Sequence, residues 1–411
     1  MKIAVIDGYS TGRALVSALR ARGGVCVHVQ SARWMPEYFT RGFDAGHYEA
    51  LLDGGGDPAG LAARLAELGV HRVVAGTESG VILADTLTHL MGLPGNRHET
   101  LAARRDKRLM AQTAAAAGVA VPRGRSFDDA DEAARWFTDV GLTEAVVKPL
   151  NSAGTDNVRF CRTAHEVGEA CKAVLTSHNL FGQANTAALV QERVHGVEYY
   201  ANTVSHEGTH RFAELWRYTK RTGTDGYPVY DYEEPVTLGS AEAAPLLDFV
   251  TAALDALGIA SGAAHTEVMM TARGPVLIET GARLGGGTAP DVVENHSGVS
   301  QTRLLADTLL DPARLRDFDD SSVTWSGALR NVALINPVAG VAKPLDWAER
   351  LRALPTLVHL AHGVVPGDYL PDTSDLISSP GYVYLAAEDP QDIARDYRAL
   401  RAMEDEGPYT H

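Results

Sequence analysis

Short apolar runs alternate with helix-like periodicities in the N-terminal part of the chain. Residues 3–6 form an apolar run, a glycine-bearing turn follows, and Ala14, Leu15, Ala18 and Leu19 are spaced as on one face of a helix. The same alternation predicts strands at residues 25–29 and 72–75 and helices at residues 61–68 and 81–91. Strands that alternate with helices usually form a mostly parallel sheet, so this segment is predicted to be an α/β domain.

The pattern changes in kind after a helix predicted at residues 101–117. Two apolar strands flank a polar, glycine-containing tip and so resemble a hairpin, and two more strands follow a helix. This unit is predicted to be a small antiparallel α+β domain, with helices at residues 130–140 and 164–177 and strands at residues 145–148, 158–161, 188–194 and 198–205.

The remainder of the chain is predicted to be α+β. Residues 217–234 are polar, aromatic and glycine-bearing, which predicts a long surface loop. His206 and His210 are interpreted as surface residues. Helices are predicted at residues 245–257 and 390–403, and strands at residues 263–270 and 275–279.

Composition excludes several classes of function. The formal net charge of the 411 residues is −15, without a Lys/Arg-rich run, which disfavours a nucleic-acid partner. No apolar stretch reaches the length of a membrane span. The three cysteines form no CxxC pair, and the N-terminus leads directly into a strand rather than a signal peptide. We expect a cytoplasmic enzyme that acts on small molecules.

Two carboxylates are the first chemical signal. Glu267 and Glu279 lie on neighbouring predicted strands joined by a glycine turn, so antiparallel pairing would bring them together. Paired hard oxygen ligands suit Mg²⁺. Taken alone, such a pair more often consists of two solvated residues at a sheet edge.

Lys148 and a hinge give two further signals. Lys148 ends an apolar strand just before a glycine-containing loop, a combination that can hold phosphates, although strand-end lysines are common. Residues 191–198 predict a strand, a kink and a second strand whose backbone could contact an adenine edge. A plain hairpin explains the same residues.

The order of these features, from residue 106 to residue 287, resembles the ATP-grasp superfamily. That resemblance implies Mg²⁺, with Mn²⁺ as an alternative ion, held by Glu267 and Glu279. It also implies ATP, with Lys107 and Lys148 at the phosphates and a loop of Ser152, Gly154 and Thr155 that covers them. Backbone groups of Glu192 and Val194 would contact the adenine, and Glu198 would bind the ribose.

The implied fold combines α/β and α+β parts in three domains. An N-terminal parallel-sheet domain is expected at residues 1–115 and a small antiparallel lid domain at residues 116–193. A larger C-terminal α+β domain with an appended subdomain is expected at residues 194–411.

Flanking motifs resemble the branch that contains L-amino-acid and dipeptide ligases. They are residues 75–81, 93–96, 265–267, 281–286 and 379–383. The branch implies a homodimer that joins a small carboxylate, through an acyl phosphate, to an amine. Arg283 and His265 are the expected catalytic residues, and the expected substrate contacts are Glu78, Arg217, Tyr230 and Gly286.

One position departs from the family pattern. Many members have Asn, a metal ligand, where this chain has Gly281. Glycine offers no side-chain oxygen, so bidentate binding by Glu279 or a water molecule would fill that place.

Three alternatives remain open at the level of sequence. A carboxylase-type or nucleotide-pathway ATP-grasp enzyme shares the same core, but the chain has no biotin-carrier segment. A non-catalytic nucleotide-binding protein would have lost the lysines or glutamates that are present here. A dinucleotide-binding enzyme is disfavoured because Gly8 and Gly12 do not form GxGxxG.

Replacement of Glu279 with Gln is expected to nearly abolish ADP formation, because it removes a metal ligand rather than a core contact. The measurement is ADP release, together with a check that the variant is folded. Substantial retained turnover would contradict the metal assignment.

Overall fold

A computed structural model describes residues 1–35, 40–152, 154, 156–223, 228–375 and 377–411. Its N-terminal sheet has four parallel strands in the order β3-β2-β1-β4. They are β1 (Lys2–Ile6), β2 (Val25–Gln30), β3 (Ala50–Asp53) and β4 (Arg72–Ala75), with helices α1 (Thr11–Ala21), α2 (Pro58–Glu67) and α3 (Val81–Leu90). β1 is central and covered on both faces, which explains its unbroken apolar run.

The second sheet is antiparallel, in the order β5-β8-β6-β7. After helix α4 (Lys107–Ala116), its elements are β5 (Gly124–Phe127), α5 (Ala130–Asp139), β6 (Ala145–Pro149), β7 (Arg159–Cys161), α6 (Ala164–Leu175) and β8 (Ala188–Glu192). The sheet and its two helices enclose a core of their own, which includes Phe127, Phe137 and Val167. Thr163 and Glu166 start α6 with a reciprocal capping box.

The third sheet is an eight-stranded antiparallel sheet in the order β13-β12-β9-β10-β11-β14-β18-β16. Its first five strands along the chain are β9 (Val197–His206), β10 (Thr209–Thr222), β11 (Pro228–Pro235), β12 (Gly262–Thr271) and β13 (Gly274–Gly281). Its last three are β14 (Ala328–Ala333), β16 (Leu357–His362) and β18 (Gly381–Ala387). A short pair, β15 (Gly340–Val341) and β17 (Tyr369–Leu370), lies apart.

The helices of this part of the chain lie between the strands of the third sheet in sequence and after the last of them. They are α7 (Ala244–Ala256), α8 (Pro290–Ser297), α9 (Gln301–Leu310), α10 (Ala313–Asp317), α11 (Asp346–Arg352) and α12 (Pro390–Asp405). One continuous core joins the N-terminal sheet to a face of the large sheet, from Ile3 and Leu15 through Leu305 to Leu215. The N-terminal and C-terminal parts therefore pack directly on each other.

The second sheet ends at Glu192 and the large sheet begins at Val197. Four residues therefore separate these two sheets. The division of the chain into three domains at residues 115/116 and 193/194 stays a prediction.

The predicted surface loop at residues 217–234 is wrong. Its described residues lie on β10 and β11, which form a hairpin with Arg217 opposite Glu234 and Lys220 opposite Tyr230. The side chain of His210 is covered although the residue is only partly buried, and its ring is hydrogen-bonded to Ser205 at 2.7 Å.

The predicted helix at residues 101–117 is broken. A 3-10 helix, His98–Arg104, precedes α4, which starts only at Lys107. Strands β3 and β5 carry no clear apolar pattern and were not predicted. Within the described part of the chain, no helix is long and apolar enough to cross a membrane.

A buried charge cluster fastens α12 to the large sheet. Arg401 donates to the Asp231 carboxylate at 2.6 Å, to Glu404 at 2.5 Å and to the carbonyl of Ala333 at 3.0 Å. Tyr397 completes the cluster with a 2.8 Å hydrogen bond to Asp231. Asp231 is therefore a structural residue.

Replacement of Arg401 with Met is expected to lower the free energy of unfolding by ~3–5 kcal/mol, because it leaves two buried carboxylates without their cation. Chemical denaturation measures the loss. The control is Arg352→Met, which removes an exposed pair with Glu349 and should change stability by less than ~1 kcal/mol. Equal effects of the two substitutions would contradict a structural role for the cluster.

Candidate active site

Two lysines from different elements meet between the second and third sheets. Asp106 caps α4 by accepting the backbone N–H groups of Arg108 and Leu109, which places Lys107 at the first helical position. The Lys107 ammonium donates to Glu279 at 2.8 Å and to the carbonyl of Ser152 at 2.9 Å. Lys107 thus links the predicted metal site to the loop after β6.

Lys148 is buried at the end of β6. Burial lowers the pKa of its ammonium to about 8, and the nearby positive charge of Lys107 acts in the same direction. Glu279, Glu267 and Glu198 oppose that shift without cancelling it. Lys148 is consequently a desolvated cation for which a further anionic partner would be favourable.

Glu267 and Glu279 face each other across β12 and β13, with a bulge directly after Glu267. Burial alone would raise the pKa of Glu267, but the adjacent His265 ring and the charges of Lys220 and Arg283 hold it at about 2. No group of three or more His, Cys, Asp or Glu side chains that could hold a metal occurs among the described residues. A metal here would have two protein carboxylates.

A chain of hydrogen bonds orients His265. The buried Glu214 accepts from the Asn202 amide at 3.0 Å, from Trp216 at 3.0 Å and from the backbone N–H of Gln301 at 2.8 Å. The amide oxygen of Asn202 lies 2.8 Å from Nδ1 of His265. Nε2 of the same ring lies 3.6 Å from Glu267. His265 is therefore fixed beside a predicted metal ligand.

Glu78 is enclosed by two arginines. Its carboxylate accepts from Arg283 at 2.6 Å and forms an ion pair with Arg105, which also contacts Asn151. Despite complete burial, these charges hold the pKa of Glu78 at about 2. Arg283 pairs with Glu78 and not with Glu279, so its guanidinium is held beside the end of β13.

The same contact explains the departure at Gly281. A Cβ at this position would lie 2.9 Å from an oxygen of Glu78 and 3.3 Å from the Arg283 guanidinium. Glycine leaves room for the Glu78–Arg283 pair, which a side chain at this position would displace.

The hinge between the second and third sheets has one free backbone segment. The N–H of Glu192 is used by the carbonyl of Arg123 at 2.8 Å. Within the described part of the chain, neither backbone group of Val194 forms a hydrogen bond. Gly196 turns the chain close to the carbonyl of Met270, which a Cβ would approach to 2.1 Å.

Glu198 lies just past the hinge and is buried. Lys220 donates to its carboxylate at 2.6 Å, and the same ammonium lies 4.3 Å from the centre of the Tyr230 ring. Burial raises the pKa of Glu198, with Glu267 acting in the same direction and Lys220 against it. Tyr230 therefore belongs to the site, although on a strand and not on a loop.

The loop after β6 is only partly described. Ser152 donates to Asp156 at 2.6 Å, and Gly154 has a positive φ of 66°. Thr155 lies outside the described residues. Gly286 is exposed in the loop between β13 and α8, where the neighbouring Gly287 also has a positive φ.

Arg217 is not brought to this site. It is bonded to Glu242 at 3.3 Å and pairs with Glu234 at 3.5 Å. Alternate residues of a strand face opposite sides of the sheet. Tyr200 pairs with both Glu267 and Trp216, whereas Arg217 pairs with Tyr199, so Arg217 lies on the other face.

Sequence reasoning missed Arg105, Asn202, Leu277 and Glu233. The buried Leu277 lines an apolar recess with Met110 and Lys148. A wider cleft of about 560 Å³ separates α4 from β5 and β8. None of the four carries a local motif, although Leu277 follows the alternation of β13.

Comparisons with known proteins agree with this fold. A profile of the ATP-grasp domain matches residues 142–291. Dapdiamide A synthase of Enterobacter agglomerans is 32% identical over 407 residues, which cover 98% of this chain and 95% of that protein. The chain belongs to the ATP-grasp family, and it is an ATP-grasp ligase.

Solved structures share the fold at low sequence identity. The L-amino acid ligase of Bacillus licheniformis superposes with a TM-score of 0.74 at 18% identity, over 98% of this chain and 97% of that one. A carboxyaminoimidazole ribonucleotide synthase of Aspergillus clavatus, complexed with ATP, superposes with a TM-score of 0.72 at 14% identity, over 99% of this chain and 98% of that one.

Replacement of Lys148 with Met is expected to stabilise the nucleotide-free protein at pH 7 by ~1–3 kcal/mol, since each unit of pKa depression costs about 1.4 kcal/mol. Below pH about 8, Lys148 is charged in both the folded and the unfolded state, so the stability gained by Lys148→Met is at its maximum. Between about 8 and 10.5 only the unfolded state keeps the proton, so wild-type stability rises with pH and the difference shrinks.

Chemical denaturation at pH 7 and at pH 10 measures both effects. Lys172→Met, at an exposed position of α6, is the control and should change stability by less than ~0.5 kcal/mol. A Lys148→Met variant that is less stable than wild type at pH 7 would contradict the desolvation argument.

Proposed function

We propose that this protein uses ATP and Mg²⁺ to activate a carboxylate as an acyl phosphate and joins it to an amine. The observation that carries the proposal is the convergence of Lys107 and Lys148 on Glu267 and Glu279 in a region of low solvent exposure. Two cations and two carboxylates are what a metal-bound polyphosphate needs, because phosphoryl transfer depends on positioning and on neutralisation of charge.

The carboxylate pair fits a magnesium ion. Glu267 and Glu279 are opposite each other and partly accessible, and each already lies next to a side chain that can carry positive charge. Mg²⁺ commonly takes one or two carboxylates and completes its shell with water and substrate phosphates. Mg²⁺, or Mn²⁺ in its place, would neutralise charge on the terminal phosphates of ATP.

The adenosine part of ATP fits the hinge. Val194 offers free backbone groups to an adenine edge, Glu192 retains its carbonyl, and Leu277 supplies an apolar surface for the base. Glu198 would bind the ribose hydroxyls through its carboxylate. The loop of Ser152, Gly154 and Thr155 would cover the phosphates, as part of a lid domain at residues 116–193.

The reaction would proceed in two displacements. An oxygen of the substrate carboxylate attacks the γ-phosphorus, which forms the acyl phosphate and releases ADP. The amine then attacks the carbonyl carbon, the C–O bond to phosphate breaks, and an amide forms. Lys107 and Lys148 would hold the transferred phosphoryl group, and Arg283 would stabilise the oxyanion that develops.

His265 serves in this scheme by holding Glu267 in place, since its ring is fixed from Asn202. Glu78 keeps Arg283 in position. Tyr230 and Gly286 would contact the substrates, whereas Arg217 is excluded by its place on the opposite face.

The names of the similar proteins, Dapdiamide A synthase and L-amino acid ligase, favour amino-acid-like substrates for this chain as well. A homodimer and a cytoplasmic location stay predictions.

The proposal predicts phosphate release from ATP and Mg²⁺ that depends on a particular acid and a particular amine. Single proteinogenic amino acids and pairs of them are screened, and products are identified by mass. The control is Glu279→Gln, which should release no phosphate with the active pair.

Phosphate release together with a condensed product of the expected mass would support the ligase and identify its substrates. Phosphate release that requires bicarbonate would instead favour carboxylase-type chemistry. Failure to bind ATP would contradict the proposed site, and ATP binding without turnover across an extended set of acids and amines would favour a non-catalytic protein.

A further inference from the structure

A carboxylate outside the predicted motifs lies on the same sheet face as the metal site. Across the large sheet, Glu279 pairs with Glu267 and Glu267 with Tyr200. Two strands further on, Glu233 of β11 pairs with Tyr218 and with Asn331 of β14. The backbones of β12 and β11 are three strand spacings apart, ~14 Å, and Tyr200 and Tyr218 lie on the strands between them.

Glu233 lies beneath the glycine-bearing loop between β13 and α8. Asn331 donates through one nitrogen to Glu233 at 2.5 Å and to the carbonyl of Gly287 at 3.3 Å. Tyr382 holds the next residue of the loop by a 3.1 Å bond to the carbonyl of Thr288. The loop that contains Gly286 therefore covers this part of the sheet.

Glu233 differs from its neighbours in having no cation. Of the other carboxylates, Glu267 is next to His265, while Glu198, Glu279 and Glu78 pair with Lys220, with Lys107 and with two arginines. Within the described part of the chain, Glu233 has no ion pair, although it keeps some accessible surface. Buried carboxylates are normally paired.

Glu214 shows what a purely structural carboxylate looks like here. It also lacks a cation, but three hydrogen-bond donors satisfy it and almost none of its surface is exposed. Glu233 has one such donor, Asn331. The carboxylate of Glu233 therefore has fewer hydrogen-bond donors than it can accept from, as expected where a ligand supplies the remaining donors.

A second unsatisfied acceptor adjoins Glu233. Asn331 is buried, and its amide nitrogen is used by Glu233 and Gly287, which fixes the orientation of the amide. Its amide oxygen is buried without a hydrogen-bond partner among the described residues. A carboxylate and an amide oxygen, both in need of donors, are complementary to an ammonium group.

We propose that Glu233 binds the ammonium group of the amine substrate and accepts its proton before the amine attacks the acyl phosphate. The inference rests on the proposed ligase function and names the residue that prepares its nucleophile. The amine is thus recognised in its charged form, with Asn331 as the second acceptor.

The protons and bonds balance without a further reagent. One proton passes from the ammonium nitrogen to the Glu233 carboxylate. The lone pair that remains attacks the carbonyl carbon, the C–N bond forms, and the C–O bond to phosphate breaks. The departing phosphate takes the second proton from nitrogen.

The surroundings of Glu233 suit a proton acceptor near neutral pH. Burial raises its pKa to about 7, the carboxylates of Glu214 and Glu267 add to the rise, and the hydrogen bond from Asn331 and the nearby Tyr200 hydroxyl act against it. The negative charge of Glu233 also raises the pKa of four nearby tyrosines, which cannot supply the missing positive charge: Tyr218, Tyr230, Tyr382 and Tyr384. A general base works best with a pKa close to the working pH.

The test separates acid activation from amine attack in the full-length protein with ATP and Mg²⁺. Each proteinogenic L-amino acid is supplied as the acid, with hydroxylamine or with a second amino acid as the nucleophile. Hydroxylamine is largely uncharged at pH 7, so it traps an acyl phosphate as a hydroxamate without a base. Glu233→Gln keeps the shape of the side chain, and Glu234→Gln is the control because Glu234 pairs with Arg330 and Arg217 instead.

For Glu233→Gln, hydroxamate formation should stay close to wild type while amide formation at pH 7 falls by about 10²–10⁴-fold, the usual contribution of a general base. The residual amide formation should rise about tenfold per pH unit as the free amine becomes available. Glu234→Gln should leave both reactions unchanged.

Two results would overturn the role of Glu233. The first is unchanged amide formation, and the second is an equal loss of both reactions, which would place Glu233 at the acid substrate or in the structure. Failure of wild type itself to form any hydroxamate, with ATP consumption also absent, would count against the ligase function instead.

Discussion

Compensation of charge in a region with little water is the constraint on which the rest of this site depends. Lys148 is buried so thoroughly that three nearby carboxylates do not restore its usual pKa, and Lys107 is held between Glu279 and a loop carbonyl. Each ionised group is stabilised by a neighbour that a ligand would also engage. The site is therefore arranged around charges that the protein alone balances incompletely, which is the electrostatic state expected of a surface that receives a metal-bound triphosphate.

Antiparallel register allows such a constellation to be built from distant parts of the chain. A single face of the large sheet carries the Glu267–Glu279 pair, a row of tyrosines and Glu233, because every second residue of a strand points to the same side. The second sheet adds Lys148 from the opposite direction, and α4 adds Lys107 through its capped N-terminus. The segment that follows β4 of the N-terminal sheet contributes Glu78, so each of the three sheets has a side chain on it or beside it in the site.

The fold and most of the site residues could be predicted wherever the function depends on short sequence motifs. Lysines at strand and helix ends, a glycine hinge and paired glutamates follow one another in a recognisable order, and the ATP-grasp fold follows from them. The hairpin of β10 and β11 could not be found in this way. One of its faces lines the site with Tyr218, Lys220 and Tyr230 and the other carries the ion pair of Arg217 with Glu234, so neither face shows the apolar alternation typical of a strand. The contact between Glu78 and Arg283 spans 205 positions, and no local pattern indicates it.

The space at Gly281 has a consequence for how this site can change over evolutionary time. A side chain at position 281 and the carboxylate of Glu78 compete for the same volume, so the two positions are coupled although they are about 200 residues apart along the chain. A lineage that gained asparagine at 281 would have to shift the Glu78 carboxylate or the Arg283 guanidinium. Exchange between a site with two carboxylates and a site with an added amide ligand therefore also alters the contact that holds Arg283.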